Sequence, residues 1–116
     1  MTEGLFFELK PLNIRVKLVE PGGFATNFQP VGLVWTDNQE VDAYRSLTHK
    51  IRSQRDQAKS ALGNPVDVAE KIYEAAMDPS DRLRYLVGAD AERNFARRQE
   101  IGAQAFMEEL HEKTKV

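Results

Sequence analysis

Apolar residues recur along the chain with two different periods, and each change of period marks an element. Leu5, Phe6 and Leu9 share one face at i, i+1 and i+4, so Thr2 to Lys10 is predicted as a helix, which Pro11 forbids from continuing. No capping sequence opens it, and it reads as the tail of a longer helix. Ile14, Arg15, Val16, Lys17, Leu18 and Val19 alternate apolar with basic residues and are rich in β-branching, which predicts a strand stopped by Pro21, Gly22 and Gly23. The alkyl stems of Arg15 and Lys17 can cover apolar surface while their charges reach water, so the alternation is compatible with burial on both faces. From Phe24 to Thr36, glycine, proline and aromatic residues follow no period; by its length this is a loop of the functional kind.

The second half is helical with one interruption. Asp37 as N-cap with Glu40 three residues on predicts a helix to about Lys59, its apolar positions Val41, Tyr44, Leu47, His49 and Ile51 forming an uneven stripe. A stronger start follows: Asn64 as N-cap, Pro65 at the first helical position, then Val66, Ala69, Ile72, Tyr73, Ala76 and Met77 on one side, ending before Pro79. Asp78 to Asp81 is turn chemistry, and Arg84 to Gly88 is predicted as a second strand. Asp90 is positioned to cap a last helix from Ala91 to about Glu112, with Ala91, Phe95, Ile101, Ala105, Phe106 and Leu110 on its apolar side. The order is helix, strand, helix, helix, strand, helix. A strand-to-strand connection made of helices returns the chain in the same direction, so the strands are predicted to pair in parallel. Two parallel strands are marginal alone and need both faces covered. The expectation is an incomplete α/β unit whose sheet is completed by further chain or by a partner.

Composition narrows the function more than the fold. With 116 residues the chain has room for one domain, residues 1–116, and its 16 Lys plus Arg nearly balance 18 Asp plus Glu for a net charge of -2. That balance gives no electrostatic reason to expect nucleic acid or an anionic membrane. The absence of Cys excludes disulfides, thiolate metal sites and a cysteine nucleophile, and suits a reducing compartment. No apolar run approaches the roughly 18 residues of a membrane span, and Met1 to Gly4 lack the character of a signal peptide, so a cytoplasmic setting is expected. His49 and His111 are far apart and no metal site is expected; Ser46, Ser53, Ser60 and Ser80 lie in no nucleophile-elbow context. Arg82, Arg84, Arg93, Arg97 and Arg98 are interspersed with acidic residues and read as solvated surface.

Three stretches carry a resemblance. Glu8-Leu9-Lys10-Pro11-Leu12-Asn13-Ile14-Arg15-Val16 runs into Glu20-Pro21-Gly22-Gly23-Phe24-Ala25-Thr26, a helix ending in Glu-Leu-x-Pro, then a strand, then Pro-Gly-x-x-x-Thr. Gly63-Asn64-Pro65 with Asp67-Val68-Ala69 precedes the next helix, and Leu86-Val87-Gly88-Ala89-Asp90-Ala91 marks the final strand. Together they resemble the C-terminal half of the short-chain dehydrogenase/reductase family over nearly the whole chain. The resemblance implies the C-terminal part of a Rossmann-like doubly wound parallel sheet, with a ligand at the carboxyl ends of the strands. It implies an oxidoreductase that passes hydride between NAD or NADP and a small carbonyl or alcohol. Carried over by motif position, cofactor contact falls to Pro21, Gly22, Gly23, Phe24 and Thr26. Residues 27–62 would resemble the variable substrate loop and lid, with Phe28, Val31, Leu33 and Trp35 as an apolar lining, although Trp35 is as readily a packing residue.

The departures matter equally. The family's Gly-rich pyrophosphate fingerprint, its Tyr-x-x-x-Lys and its supporting Ser are missing from these 116 residues, and by the family pattern the Lys would fall a turn or two of helix before Met1. No catalytic residue is therefore assigned, and whether Met1 is a start or a point inside a longer chain is open. The residue that separates NAD from NADP lies outside this sequence as well. Two readings follow: part of a hydride-transferring oxidoreductase, inactive by itself, or a stand-alone non-catalytic module that binds itself or another partner. An unpaired strand edge and bare helix faces favour a homo-oligomer in either case.

Overall fold

The computed structural model describes residues 1–28 and 41–115. The chain divides into two compact units, Met1–Phe24 with Gly63–Glu92, and Ala25–Leu62 with Arg93–Val116.

The first unit is α/β. Helix α1, Thr2–Leu9, runs into a 3-10 turn, Lys10–Leu12, because Pro11 cannot donate to an α-helical ladder. The turn closes on Asn13 in the left-handed region, at φ 58°, a conformation in which asparagine is enriched. Strand β1 is Leu18–Pro21 and β2 is Arg84–Val87; they pair in parallel with Leu18 opposite Arg84 and Pro21 opposite Val87. The parallel two-stranded sheet agrees with expectation, but β1 begins four residues later than the β-branched run. Ile14 to Lys17 remain outside the ladder, because strand propensity reports side-chain shape while pairing needs a partner, and β2 supplies only four residues. Pro21 is tolerated at the end of β1 because the bond at that level comes from Gly22 N–H to the Val87 carbonyl, 2.9 Å.

Helix α3, Pro65–Met77, spans the crossover and packs on both strands. Its start follows the sequence reading: Asn64 is the N-cap, Pro65 the first helical residue, and Asn64 Oδ1 accepts from Val66 N–H at 3.1 Å. Its orientation does not follow that reading. The buried residue is Ala75, whereas the expected apolar side, Val66, Ile72, Tyr73 and Met77, is more than half exposed. The helix turns its small side chain to the sheet because close approach favours it, leaving the larger stripe free. Tyr85 and Val87 on alternate positions of β2 complete the buried set. Arg84 ties this unit together by pairing with Glu20 of β1 and Glu3 of α1.

In the second unit, helix α2 is Asp42–Ala58. Its described N-cap is Val41; Asp37 and Glu40, the expected capping pair, lie outside the described residues. The single last helix expected from Ala91 to Glu112 is two helices, α4 at Ala89–Ile101 and α5 at Ala103–Thr114. Gly102 separates them at φ 83° and ψ 160°, a backbone conformation open in practice to glycine alone. Apolar periodicity passes through this break unchanged, so the period gave no sign of it. Arg97 pairs with Glu100 on its own helix and with Glu109 across the break, and α2 packs on α5, where Gln54 donates to the Lys113 carbonyl at 3.3 Å.

Candidate functional site

Where parallel strands end, their carboxyl ends leave a crevice in which α/β proteins bind ligands. Here β1 ends at Pro21 and β2 at Val87, and three glycines follow within a few residues, Gly22, Gly23 and Gly88. Gly88 adopts φ 99°, which turns the chain directly from β2 into α4. Asp90 therefore sits inside the first turn of α4 instead of capping a helix from Ala91, and Glu92 N–H bonds the Gly88 carbonyl at 3.0 Å. The expected capping role of Asp90 is corrected accordingly. Its carboxylate reaches the β1 turn, where Oδ2 accepts from Gly23 N–H at 2.7 Å.

The turn is held from both sides. Gly22 N–H donates to Val87, Gly23 N–H to Asp90, and the Gly23 carbonyl accepts from Gly63 N–H at 3.0 Å, with Phe24 and Gly63 forming an isolated parallel bridge. The glycines are required by space. A Cβ at Gly22 would lie 2.0 Å from Asp90 Oδ1, one at Gly88 2.8 Å from the same atom, and one at Gly63 2.7 Å from the Phe24 ring. The Phe24 side chain is thus packed against Gly63 and Gly88, leaving its main chain as the part able to meet a ligand.

Of the residues expected to face a cofactor, Pro21, Gly22, Gly23 and Phe24 come together in this turn at the strand ends. Thr26 falls in the second unit, exposed, its Oγ1 accepting from Phe28 N–H at 3.4 Å. Phe28 is 61% exposed. Val31, Leu33 and Trp35 lie outside the described residues. Gly63 was not singled out individually by the sequence reading, and Asp90 only as a helix cap, although both stand in the motifs that carried the resemblance. The available signal was an acidic residue two positions after a strand-ending glycine, in a chain with a Gly-Gly pair after its other strand.

At the amino ends of the strands a second polar group ties the sheet to the turn before β2. Tyr85, fully buried, donates to Asp78 Oδ2 at 2.5 Å, and Lys17 Nζ donates to the Ser80 and Arg82 carbonyls and to Tyr85 Oη at 2.7, 3.0 and 3.1 Å. The Tyr85 hydroxyl, then Ser80, hold the Asp78 carboxyl well below the usual aspartate range. Every polar partner in this group is accounted for by packing and turn formation. Among the described residues no three His, Cys, Asp or Glu side chains converge as a metal site, and no helix is long and apolar enough to cross a membrane.

Comparison with known proteins bears on the class of the molecule. The chain is 32% identical over 93 residues to each of two uncharacterized oxidoreductases of Schizosaccharomyces pombe, covering 76% of this chain and 36% of each relative. It is 29% identical over 87 residues to a probable short-chain type dehydrogenase/reductase, VdlC, of Helicobacter pylori, covering 75% of this chain and 32% of that protein. No family model matches, and no solved structure matches. The chain is similar in sequence to proteins named as oxidoreductases, one of them a probable short-chain type dehydrogenase/reductase, which supports a relation to that family. It spans about a third of the length of the curated relatives it matches.

Proposed function

We propose that this chain forms the nicotinamide-facing part of an NAD(P)-dependent oxidoreductase that passes hydride between the cofactor and a carbonyl or alcohol. The observation that carries the reading is the Pro21 to Phe24 turn at the carboxyl ends of two parallel strands, its Gly23 peptide groups held by Asp90 and Gly63. The fit to a nicotinamide is chemical: the amide N–H and C=O groups of the turn match a carboxamide. Pro21, Gly22, Gly23 and Phe24 would hold the nicotinamide end. When bound, the dinucleotide supplies or accepts the hydride. NAD and NADP fit this turn equally, since it meets only the part they share.

Because the 116 residues contain no Tyr-x-x-x-Lys and no Gly-rich fingerprint, the chain by itself is expected to bind weakly and to turn nothing over. Titrating the chain against NADH and NADPH while following nicotinamide fluorescence tests binding; adding an aldehyde or ketone tests turnover. The expected result is a fluorescence change without oxidation. No change with either dinucleotide would defeat the cofactor reading, and steady oxidation by the pure chain would defeat the inactivity.

A second reading is favoured by a separate observation. Phe7, Leu12, Val66, Tyr73 and Met77 are all more than half exposed, an apolar inventory suited to a non-catalytic module that binds a copy of itself or another partner. That reading predicts an obligate oligomer with no response to either dinucleotide.

A further inference from the structure

The Asp90 carboxylate fills the space above Gly22 and Gly88 and accepts from Gly23 N–H. Its effect is on the orientation of two peptide planes. All peptide bonds in the described chain are trans. In a trans amide the C=O and the N–H of one plane point in opposite directions. The Gly23 N–H points to Asp90, so the Gly22 carbonyl in the same plane points away from Asp90. The Gly23 carbonyl points to Gly63 N–H, so the Phe24 N–H in that plane points away from Gly63. Both polar groups of Gly23 are engaged within the fold, and the peptide groups on either side of it point away from those two partners. Among the described residues neither the Gly22 carbonyl nor the Phe24 N–H has a partner. What the turn leaves without a partner among the described residues is one acceptor and one donor, the complement of a primary carboxamide.

We propose that Asp90 is a positioning residue: with Gly63 as the opposing clamp, it fixes the Gly22–Gly23 and Gly23–Phe24 peptide planes so that the Gly22 carbonyl and the Phe24 N–H are presented to the nicotinamide carboxamide. This rests on the reading of the turn as cofactor-facing. Asp90 touches no reacting atom; it acts through the backbone. A charged acceptor is suited to the task because a hydrogen bond to a carboxylate is stronger than one to a neutral oxygen, and a plane held firmly loses less freedom on binding.

The test uses the full 116-residue chain, labelled with nitrogen-15, and the variants Asp90→Asn, which keeps an acceptor oxygen, and Asp90→Ala, which does not. Amide hydrogen exchange at Gly23 reads the clamp, and shifts at Gly22 to Phe24 on addition of nicotinamide mononucleotide read the presentation. Asp90→Ala is expected to speed Gly23 exchange by about tenfold and to weaken the nucleotide response by about tenfold, with Val19 and Tyr85 amides unmoved. Asp90→Asn is expected to recover most of both, which a role in general stability would not produce. Unchanged Gly23 exchange in Asp90→Ala would overturn the clamp. Faster exchange with an undiminished nucleotide response would overturn the presentation. A wild-type chain with a slow Gly23 amide and no nucleotide response would overturn the cofactor reading and the presentation with it, while upholding the clamp.

Discussion

At the scale of single residues, each end of the two-stranded sheet is held by an aspartate carboxylate. The carboxyl ends depend on Asp90, whose hydrogen bond to Gly23 works because Gly22 and Gly88 leave it space. Gly22→Ala brings a methyl group to 2.0 Å from Asp90 Oδ1, and the carboxylate is too short to step aside while still reaching Gly23. The substitution is expected to destabilise the fold by about 1–3 kcal/mol, measurable as a shift of the urea midpoint at constant slope. The amino ends depend on Asp78, kept ionised below the ordinary value of 3.8 chiefly by the Tyr85 hydroxyl. As pH falls through 3.8 the unfolded chain takes up its proton first, so the stability Asp78 supplies is complete above that pH and drains away below it. Tm is therefore expected to fall between about pH 5 and about pH 2, and Asp78→Asn to flatten that fall in part. The remainder belongs to Asp56, Asp81 and Glu109, whose carboxyls Lys59, Lys10 and Arg97 also hold below their usual range. A Tm profile of equal steepness in Asp78→Asn would show that Asp78 plays no part.

At the scale of elements, α3 and the α4–α5 break show where side-chain periodicity stops being informative. The stripe of Val66, Ala69, Ile72, Tyr73, Ala76 and Met77 is real, but the face that meets the sheet is the one carrying Ala75, with Val68 and Lys71 half-buried beside it. A helix with two packable faces does not reveal which one its neighbour takes. Val87→Ala on β2 opens space in the small core beside this contact and is expected to cost about 2 kcal/mol in chemical denaturation. Gly102 has the opposite character: nothing lies within 4 Å of the place its Cβ would occupy, so only the backbone restricts it. Gly102→Ala is expected to cost about 1–3 kcal/mol through its φ of 83°, or to straighten α4 and α5 into one helix. Circular dichroism separates these outcomes, since only straightening raises helix content. The Asn64-Pro65 start of α3 was legible because a cap is a local device, complete within three residues.

At the scale of the molecule, the first unit buries only Ala75, Tyr85 and Val87 among its apolar residues. Such a small core leaves apolar surface on α1, at Phe7, and on α3, at Ile72 and Tyr73, with 72%, 53% and 69% of each exposed. Self-association is the expected consequence, with apparent stability rising with concentration. Replacing Ile72 and Tyr73 with Glu is expected to weaken association by about tenfold in sedimentation equilibrium, while α3 keeps its helix content because neither side chain faces the sheet. A chain that stays monomeric at every concentration tested would remove the self-binding form of the second reading.

The sequence by itself determined the order of elements as far as β2, the parallel pairing, the start of α3 and the resemblance to the short-chain dehydrogenase/reductases, each of which rests on contiguous residues or on a topological necessity. It also placed Pro21 to Phe24 at the strand ends, because a strand, a proline and two glycines are read in line. Only the tertiary structure decided that Asp90 closes on Gly23, that Ala75 is the face of α3 turned inward, and that β1 begins at Leu18. Those outcomes join residues 67 positions apart, or select among equally apolar faces. Local propensity carries no information about either, since both are settled by which surfaces meet when the crossover helix lays one strand beside the other.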